Sequence, residues 1–354
     1  MGTTAQKLQA ILNSKTDIKS ALNTKYGITV GDKLSDWGNT IRNFAITNVT
    51  TPSSIGAYEY YARYGSRASA AISQTKQEYT DTITSVDLSA TTSCGNYGMY
   101  GAFVGCSNLT TLTLPPRGTA IAANNYSFYQ TFLNCTSLST PIVLSFYGMN
   151  NYSFREMFKG CSSIPSAELY CTNKASTINA SYVWFYSMFA DCTSMTDFTF
   201  SGPNTITGTT YLFNGTLSNC TSLKRVYITD VKNISTGTAS NSTLGIIPNG
   251  LTTTSRKLEA IYCPDLESAT VCNATSPSFY SLFMYNTSST SNRLYVDDIY
   301  LPKLTNIGRY AFNYIKNARI HFAAENQSAI ESLPNYDLHF SNWDGGTTTF
   351  LFDL

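Results

Sequence analysis

One cysteine recurs at the same point of a degenerate repeat, and that recurrence confines the chain to a stacked-coil architecture. Five copies read Phe103-Val-Gly-Cys106-Ser-Asn-Leu109, Phe132-Leu-Asn-Cys135-Thr-Ser-Leu138, Phe158-Lys-Gly-Cys161-Ser-Ser-Ile164, Phe189-Ala-Asp-Cys192-Thr-Ser-Met195 and Leu217-Ser-Asn-Cys220-Thr-Ser-Leu223. Successive cysteines lie 29, 26, 31 and 28 residues apart. A period of that size marks a solenoid, because one unit cannot bury its own apolar face and must stack on its neighbours.

Each copy continues into a short alternating run: Leu112-Thr-Leu114, Val143-Leu144, Glu168-Leu169-Tyr170, Phe198-Thr-Phe200 and Val226-Tyr-Ile228. Period-2 alternation reads as a strand with one buried face. Before each cysteine lies an aromatic stretch, such as Tyr152 to Phe158 and Tyr182 to Phe189, whose apolar spacing is closer to a short helical or 3₁₀ turn. One coil is thus a strand, a loop and a short helical turn, with successive strands aligned in a parallel sheet. Further strands are expected at Ile83–Leu88, Leu258–Cys263 and Asp298–Leu301, and a last copy at Asn306–Phe322 puts Ile315 in the cysteine position. Roughly eight coils at about 4.8 Å spacing give a ladder on the order of 40 Å long.

The Phe-x-x-Cys-[Ser/Thr]-x-Leu unit, with Met157-Phe158 or Met188-Phe189 before it and a strand after it, resembles the BspA-like leucine-rich repeat. So does the phrase Ile307-Gly-Arg-Tyr-Ala-Phe312. The resemblance covers residues 81–320, and the coils after Cys220 lose the full cysteine motif. It implies a β-rich leucine-rich-repeat solenoid, a parallel strand ladder with short helical turns. Members occur on bacterial surfaces, in parasites and in phages, so the resemblance implies contact with a surface rather than a chemistry.

The ends of the chain differ from the repeat. Residues 1–46 carry Leu8 and Ile11, then Ile18 and Leu22, then Trp37 and Ile41 at helical spacings, with Gly27 at a helix-stop position. Three short helices make a very small core, so docking or oligomerisation is expected to complete it. This segment is similar to N-terminal segments of tail-fibre and other virion proteins of gut bacteriophages. Residues 47–80 read as a connector and entry to the solenoid, and residues 321–354 as an α/β-hairpin cap. In that cap, Ala323–Leu333 is expected to be helical. Leu338–Phe340, the Trp343-Asp-Gly-Gly turn and Thr347–Phe352 resemble a hairpin, since Asp-Gly suits a primed turn.

Composition narrows the function. Charged residues are 13% of the chain, against about 25% in ordinary domains. The net charge of +1 gives no long-range pull toward nucleic acid or an anionic membrane. No apolar run is long enough to span a bilayer. The start lacks the basic and apolar regions of a secretory signal, so synthesis in a host cytoplasm without a signal peptide is expected.

Nine cysteines suggest a disulfide scaffold at first sight, but Cys106, Cys135, Cys161, Cys192 and Cys220 occupy equivalent coil positions and read as a buried thiol ladder. Cys94, Cys171, Cys263 and Cys272 fall outside it. No zinc-type ligand pairs occur, so no metal and no cofactor are expected. A glycan-cleaving site would need two carboxylates about 5–10 Å apart. Asp191 with Asp197 and Glu156 with Glu168 are the available pairs, yet Asp191 stands where other copies have Gly105, Asn134, Gly160 and Asn219, which tolerate positive φ. Catalysis is not expected.

Aromatic residues recur before each cysteine. Tyr126, Tyr129, Tyr147, Tyr152, Trp184 and Tyr186 are the candidate receptor contacts, with Tyr and Trp expected to be the exposed members of the set. The combined expectation is a non-enzymatic bacteriophage virion appendage of the tail- or head-fibre type. Its residues 1–46 would join other virion proteins, as a homo-oligomer with a trimer favoured, and its solenoid would touch a host-surface glycan or protein. The alternatives are a bacterial cell-surface adhesin of the same repeat family and an inert capsid-decorating protein.

Overall fold

The computed structural model describes residues 13, 15–20, 48–60, 82–147, 150–179, 184–207, 213, 215–235, 258–270, 294–308, 311–312, 315–333 and 348–354. The chain divides into two units, Met1–Thr47 and Asn48–Leu354. In the first, Lys15–Ser20 is helical and Ile18 is half exposed at 50%. Leu8, Ile11, Leu22, Trp37 and Ile41 lie outside the described residues.

The second unit is a β-rich solenoid of parallel ladders. Its main ladder begins with Asn48–Thr50, Ser85–Asp87 and Thr111–Thr113, paired in parallel register. It resumes with Ile142–Phe146, Ser166–Cys171, Asp197–Ser201, Arg225–Thr229, Leu258–Tyr262, Leu294–Leu301, Arg319–Phe322 and Thr349–Phe352. The alternating residues Phe198, Phe200, Val226 and Ile228 point inward and are essentially inaccessible, as period 2 requires.

The ladder breaks at Ile142 for a local reason. In four copies the first inward strand residue follows the aliphatic of the motif by three positions, as in Leu109 to Leu112, but Leu138 to Ile142 is four. The extra residue is next to Pro141, which has no N–H to give. Thr140 compensates: its hydroxyl accepts the Leu112 N–H (3.2 Å) and its neighbour Ser139 donates to the Thr110 carbonyl (3.2 Å).

A second parallel ladder, absent from the reading of the sequence, runs beside the first. It comprises Ser54–Ile55, Ser93–Cys94 and Ala122–Ala123, then Thr177–Asn179, Thr205–Thr207, Asn233–Ser235, Ser268–Thr270 and Asn306–Ile307. Each of these strands has two or three residues, too few to show a period. Cys94 belongs here, buried beside Ile55 and Ala123 in register.

The aromatic stretches correct the expectation of helical turns. They form a ribbon of overlapping β-turns. Alternate amides bond back three residues, as Ala102 to Met99 and Cys106 to Phe103. The amides between them donate to the next coil: Met99 to Ser127, Gly101 to Tyr129, Phe103 to Thr131 and Gly105 to Leu133. Every fourth residue has positive φ, as at Tyr97, Gly101 and Gly105, then Tyr126, Gln130 and Asn134, then Tyr152, Glu156 and Gly160. A 3₁₀ helix shares the i→i−3 bond but directs no amide outward, so it could not tie coil to coil. The position shared by Asp191 (φ 64°) with Gly105, Asn134, Gly160 and Asn219 is left-handed in all five copies.

The repeat motif now has a physical account. The Phe103 carbonyl accepts the Cys106 N–H of its own turn (3.2 Å) and the Cys135 thiol of the next coil (3.1 Å). Cys161 donates likewise to Phe132 (3.0 Å), Cys192 to Phe158 (3.3 Å) and Cys220 to Phe189 (3.2 Å). Four residues earlier, the buried Thr131 and Thr216 hydroxyls donate in the same way to Met99 (2.8 Å) and Phe185 (2.6 Å). Beneath them run two columns of stacked phenylalanines. Phe103, Phe132, Phe158 and Phe189 are spaced 5.3–5.4 Å apart, and Phe128, Phe154, Phe185 and Phe213 are spaced 5.4–6.3 Å. Such pairs contribute about 0.5–1.5 kcal/mol each beyond burial.

The cap begins with two short helical turns. Ala324–Asn326 is a 3₁₀ turn and Gln327–Glu331 a short α-helix. The strand Thr349–Phe352 pairs in parallel with Arg319–Phe322, Ile320 opposite Phe350, and so extends the main ladder. Leu338–Phe340 and the Trp343 turn lie outside the described residues.

Burial pushes the thiols of Cys94 and Cys220 up to about 12, and Cys135 and Cys192 are raised by burial together with their neighbouring thiols. Thiolate, the reactive form, is therefore scarce at neutral pH. In the folded chain, a disulfide-exchange reagent at about pH 8 is expected to label at most Cys272. Labelling of the other eight should follow global unfolding in denaturant. Cys161→Ala should lose roughly 1–2 kcal/mol of stability in a urea melt, from the hydrogen bond and the void together.

Candidate interaction surface

Two outward rows carry the aromatic side chains, one on the turn ribbon and one on the main ladder. On the ribbon, Tyr58, Tyr97, Tyr126 and Tyr152 occupy the same left-handed position of four successive coils, with φ of 54–58°. Their rings stack at 5.1, 5.0 and 4.9 Å. A bulky residue in this conformation costs about 1–2 kcal/mol, and the stacking offsets a comparable amount. A parallel column pairs Tyr100 with Tyr129 at 4.8 Å. Arg155 lies over Tyr186 (4.5 Å), Tyr152 (5.4 Å) and Tyr129 (5.6 Å), a cation–π position that joins the two columns.

On the ladder, register alone builds the second row. Tyr227 stands opposite Tyr262, Tyr262 opposite Tyr300, and Tyr300 opposite His321. The rings stack at 4.9, 4.9 and 4.8 Å. Beside them runs a row of ion pairs between neighbouring strands. Arg225 grips Asp197 (2.6 and 3.2 Å) and Arg319 grips Asp298 (2.7 and 2.7 Å), with Ala260 between the two pairs in register. Further toward the N-terminus, Tyr170 is held between Arg117 (3.8 Å) and Lys174 (4.1 Å), which pair with Glu168 and Asp230.

The structure thus places the sequence-derived candidates unequally. Tyr126, Tyr129, Tyr152 and Tyr186 are half-buried members of one surface, and Tyr147 is exposed at 52% beyond the end of Ile142–Phe146. Trp184 is a correction, since it is buried at 7% and meets Phe185 edge-on at 6.5 Å. Its backbone carbonyl accepts the Phe154 N–H, so it belongs to the ribbon's inner packing. Tyr227, Tyr262 and Tyr300 were not singled out from the sequence. Their signal is the outward position of each strand, flanked by Val226 and Ile228 or preceded by Ile261 and Ile299.

Stacking also changes what these rings offer. Their faces are covered by one another, so the row presents ring edges and hydroxyls at about 5 Å intervals, not flat platforms. The carboxylates considered for glycan cleavage are likewise committed. Asp197 is bound by Arg225 and Thr196, Glu168 by Arg117, Glu156 by Gln130, and Asp191 by the Asn219 amide. Burial works against ionisation of Asp197, but the hydrogen bonds from Arg225 and Thr196 outweigh it and lower its pKa. Asp230 and Asp298 behave similarly through Lys174 and Arg319. Among the described residues, no cluster of three metal-ligating side chains is present, and no helix is long and apolar enough to cross a membrane.

No family model and no curated protein matches the chain. Among solved structures, a leucine-rich repeat protein from Bacteroides ovatus aligns over 86% of this chain and 92% of its own length, at 14% identity and a TM-score of 0.20. At that score the likeness carries no weight, and the β-rich solenoid stands on the ladders themselves.

A carboxylate with a depressed pKa adds stability that is present above its ordinary value of 3.8 and lost as pH falls through the lowered one. Arg225→Gln is therefore expected to lower the melting temperature slightly at about pH 7 and to leave it unchanged near pH 2, which flattens the acid side of the stability profile. Tyr126→Ala should cost roughly 1 kcal/mol through lost stacking, and Tyr126→Phe almost nothing, in the same melts.

Proposed function

We propose that this protein is a non-enzymatic attachment module whose solenoid presents its tyrosine rows to a host-surface glycan or protein. The observation that carries the reading is the periodic row of tyrosine edges on the ribbon, joined by Arg155. Such a surface is rigid, and it offers hydroxyl donors and acceptors at little conformational cost on binding. The similarity of residues 1–46 to phage virion segments supports a finer reading. The module is borne on a bacteriophage particle, and that segment makes a homo-oligomeric, preferably trimeric, anchor to other virion proteins.

A second reading has an observation of its own. The ring faces and the neighbouring charges are satisfied within the chain, which suits a decorating protein that only spaces or protects.

Binding of the labelled full chain to whole bacterial cells separates the two. The attachment reading predicts saturable binding, competed by purified envelope glycan or by protein extract. It also predicts a two- to tenfold weakening for each of Tyr152→Phe and Tyr186→Phe, without loss of stability, which is about the worth of one neutral hydrogen bond. Non-saturable binding unaltered by these substitutions supports the inert reading. Light scattering of the full chain tests the trimer, and immunogold labelling of purified particles tests the virion location.

A further inference from the structure

The C-terminal end of the main ladder holds a cluster that the attachment reading does not use. His321 is buried (8% exposed), on the strand Arg319–Phe322, with Tyr300 on one side in register and Leu351 on the other. Its Nε2 lies 2.9 Å from Asp298 Oδ1, and its Nδ1 lies 2.9 and 3.1 Å from the two carboxylate oxygens of Asp353. A neutral imidazole has one N–H and one lone pair, whereas the imidazolium has two N–H donors. Both contacts are hydrogen bonds only in the protonated ring. In the neutral ring, one nitrogen lone pair faces a carboxylate.

The two carboxylates are not equivalent. Asp298 belongs to the preceding strand and is already fixed by both Arg319 nitrogens; those bonds and His321 overcome its burial and keep its pKa lowered. Asp353 follows the final strand, Thr349–Phe352, which is held to the ladder along the edge it shares with Arg319–Phe322. The His321–Asp353 contact is thus a side-chain bond between the final strand and the rest of the solenoid. The adjacent backbone bond from Leu354 to the Phe322 carbonyl (3.2 Å) lies at the same end.

We propose that His321 is a proton-operated clasp on the last strand: the imidazolium locks Thr349–Phe352 onto the ladder, and the neutral ring lets it open and uncover the edge of Arg319–Phe322. Among the described residues, the titratable and charged groups facing the ring are Arg319 on its own strand, Asp298 and Tyr300 with the adjacent Asp297 on Leu294–Leu301, and Asp353 beyond the final strand. Only a ring protonated on both nitrogens donates to both carboxylates, so the clasp is complete in that form and half-made in the neutral one. Asp298, its carboxyl held below the ordinary 3.8, stays ionised in mild acid and above.

Hydrogen exchange of the full chain, followed by mass spectrometry on peptides covering 348–354 and corrected for intrinsic rates, tests this. Protection should fall roughly tenfold between about pH 5 and pH 8, while peptides covering Thr111–Thr113 keep theirs. His321→Gln should give the same low protection at every pH. Asp353→Asn, at a half-exposed side chain, should lower protection at about pH 5 and leave the value at about pH 8 nearly unchanged. Protection independent of pH in the unaltered chain would overturn the proposal. So would full pH dependence retained in His321→Gln, or Asp353→Asn behaving as the unaltered chain.

Discussion

The fold depends on carbonyl groups that serve two coils at once. The Phe103, Phe132, Phe158 and Phe189 oxygens each accept the cysteine amide that closes their own turn and the cysteine thiol of the coil that follows. A buried carbonyl has two lone pairs, and leaving one unmet costs about as much as losing a hydrogen bond. Cysteine suits the position because it is small and apolar enough to be fully buried and still carries a donor. The ribbon amides at Met99, Gly101, Phe103 and Gly105 extend the same principle along the coil. The chain therefore holds its turns to one another as firmly as its strands, which explains how a solenoid with so few charged residues is assembled from segments that are mostly turn.

Much of this was legible in the residues, and the misreadings have common physical causes. The cysteine period and the strand alternation were visible because a core position tolerates few residue types, and Asp191 gave away a left-handed turn by sharing a site with glycine and asparagine. The ribbon imitates a helix in sequence because both place buried side chains four apart, as in Phe128 and Phe132 or Phe154 and Phe158. What distinguishes the ribbon is where its alternate amides point, which side-chain spacing does not encode. The burial of Trp184 has the same origin: inside and outside on the ribbon follow a four-residue turn period, with Met188 and Cys192 buried beyond it, and not a helical face. The parallel pairing of the final strand is not legible, because its partner, Arg319–Phe322, is distant in sequence and no local residue signal points to it.

The surface inherits the regularity of the core. Parallel register sets equivalent outward residues about one strand spacing apart, so any planar side chain repeated at that position stacks on its copies. Tyr227, Tyr262, Tyr300 and His321 do so on the ladder, and Tyr58, Tyr97, Tyr126 and Tyr152 on the ribbon. Recognition by such a surface works through ring edges, hydroxyls and the paired charges beside them. A flat sugar-stacking platform is ruled out wherever two rings cover each other. The same register sets His321 between Asp298 and Asp353, so the chemistry at the end of the solenoid follows from the ladder's geometry as directly as its core does.

The most direct test of this account is residue-resolved amide exchange along the ribbon from Met99 to Gly105, measured by NMR on the folded chain. If the coils are held by amides donated from one turn to the next, Met99, Gly101, Phe103 and Gly105 should be protected to the same extent as the strand amides of Asp197–Ser201. Exchange of these four at the rate of an unprotected surface loop, while the strands stay protected, would contradict the central claim.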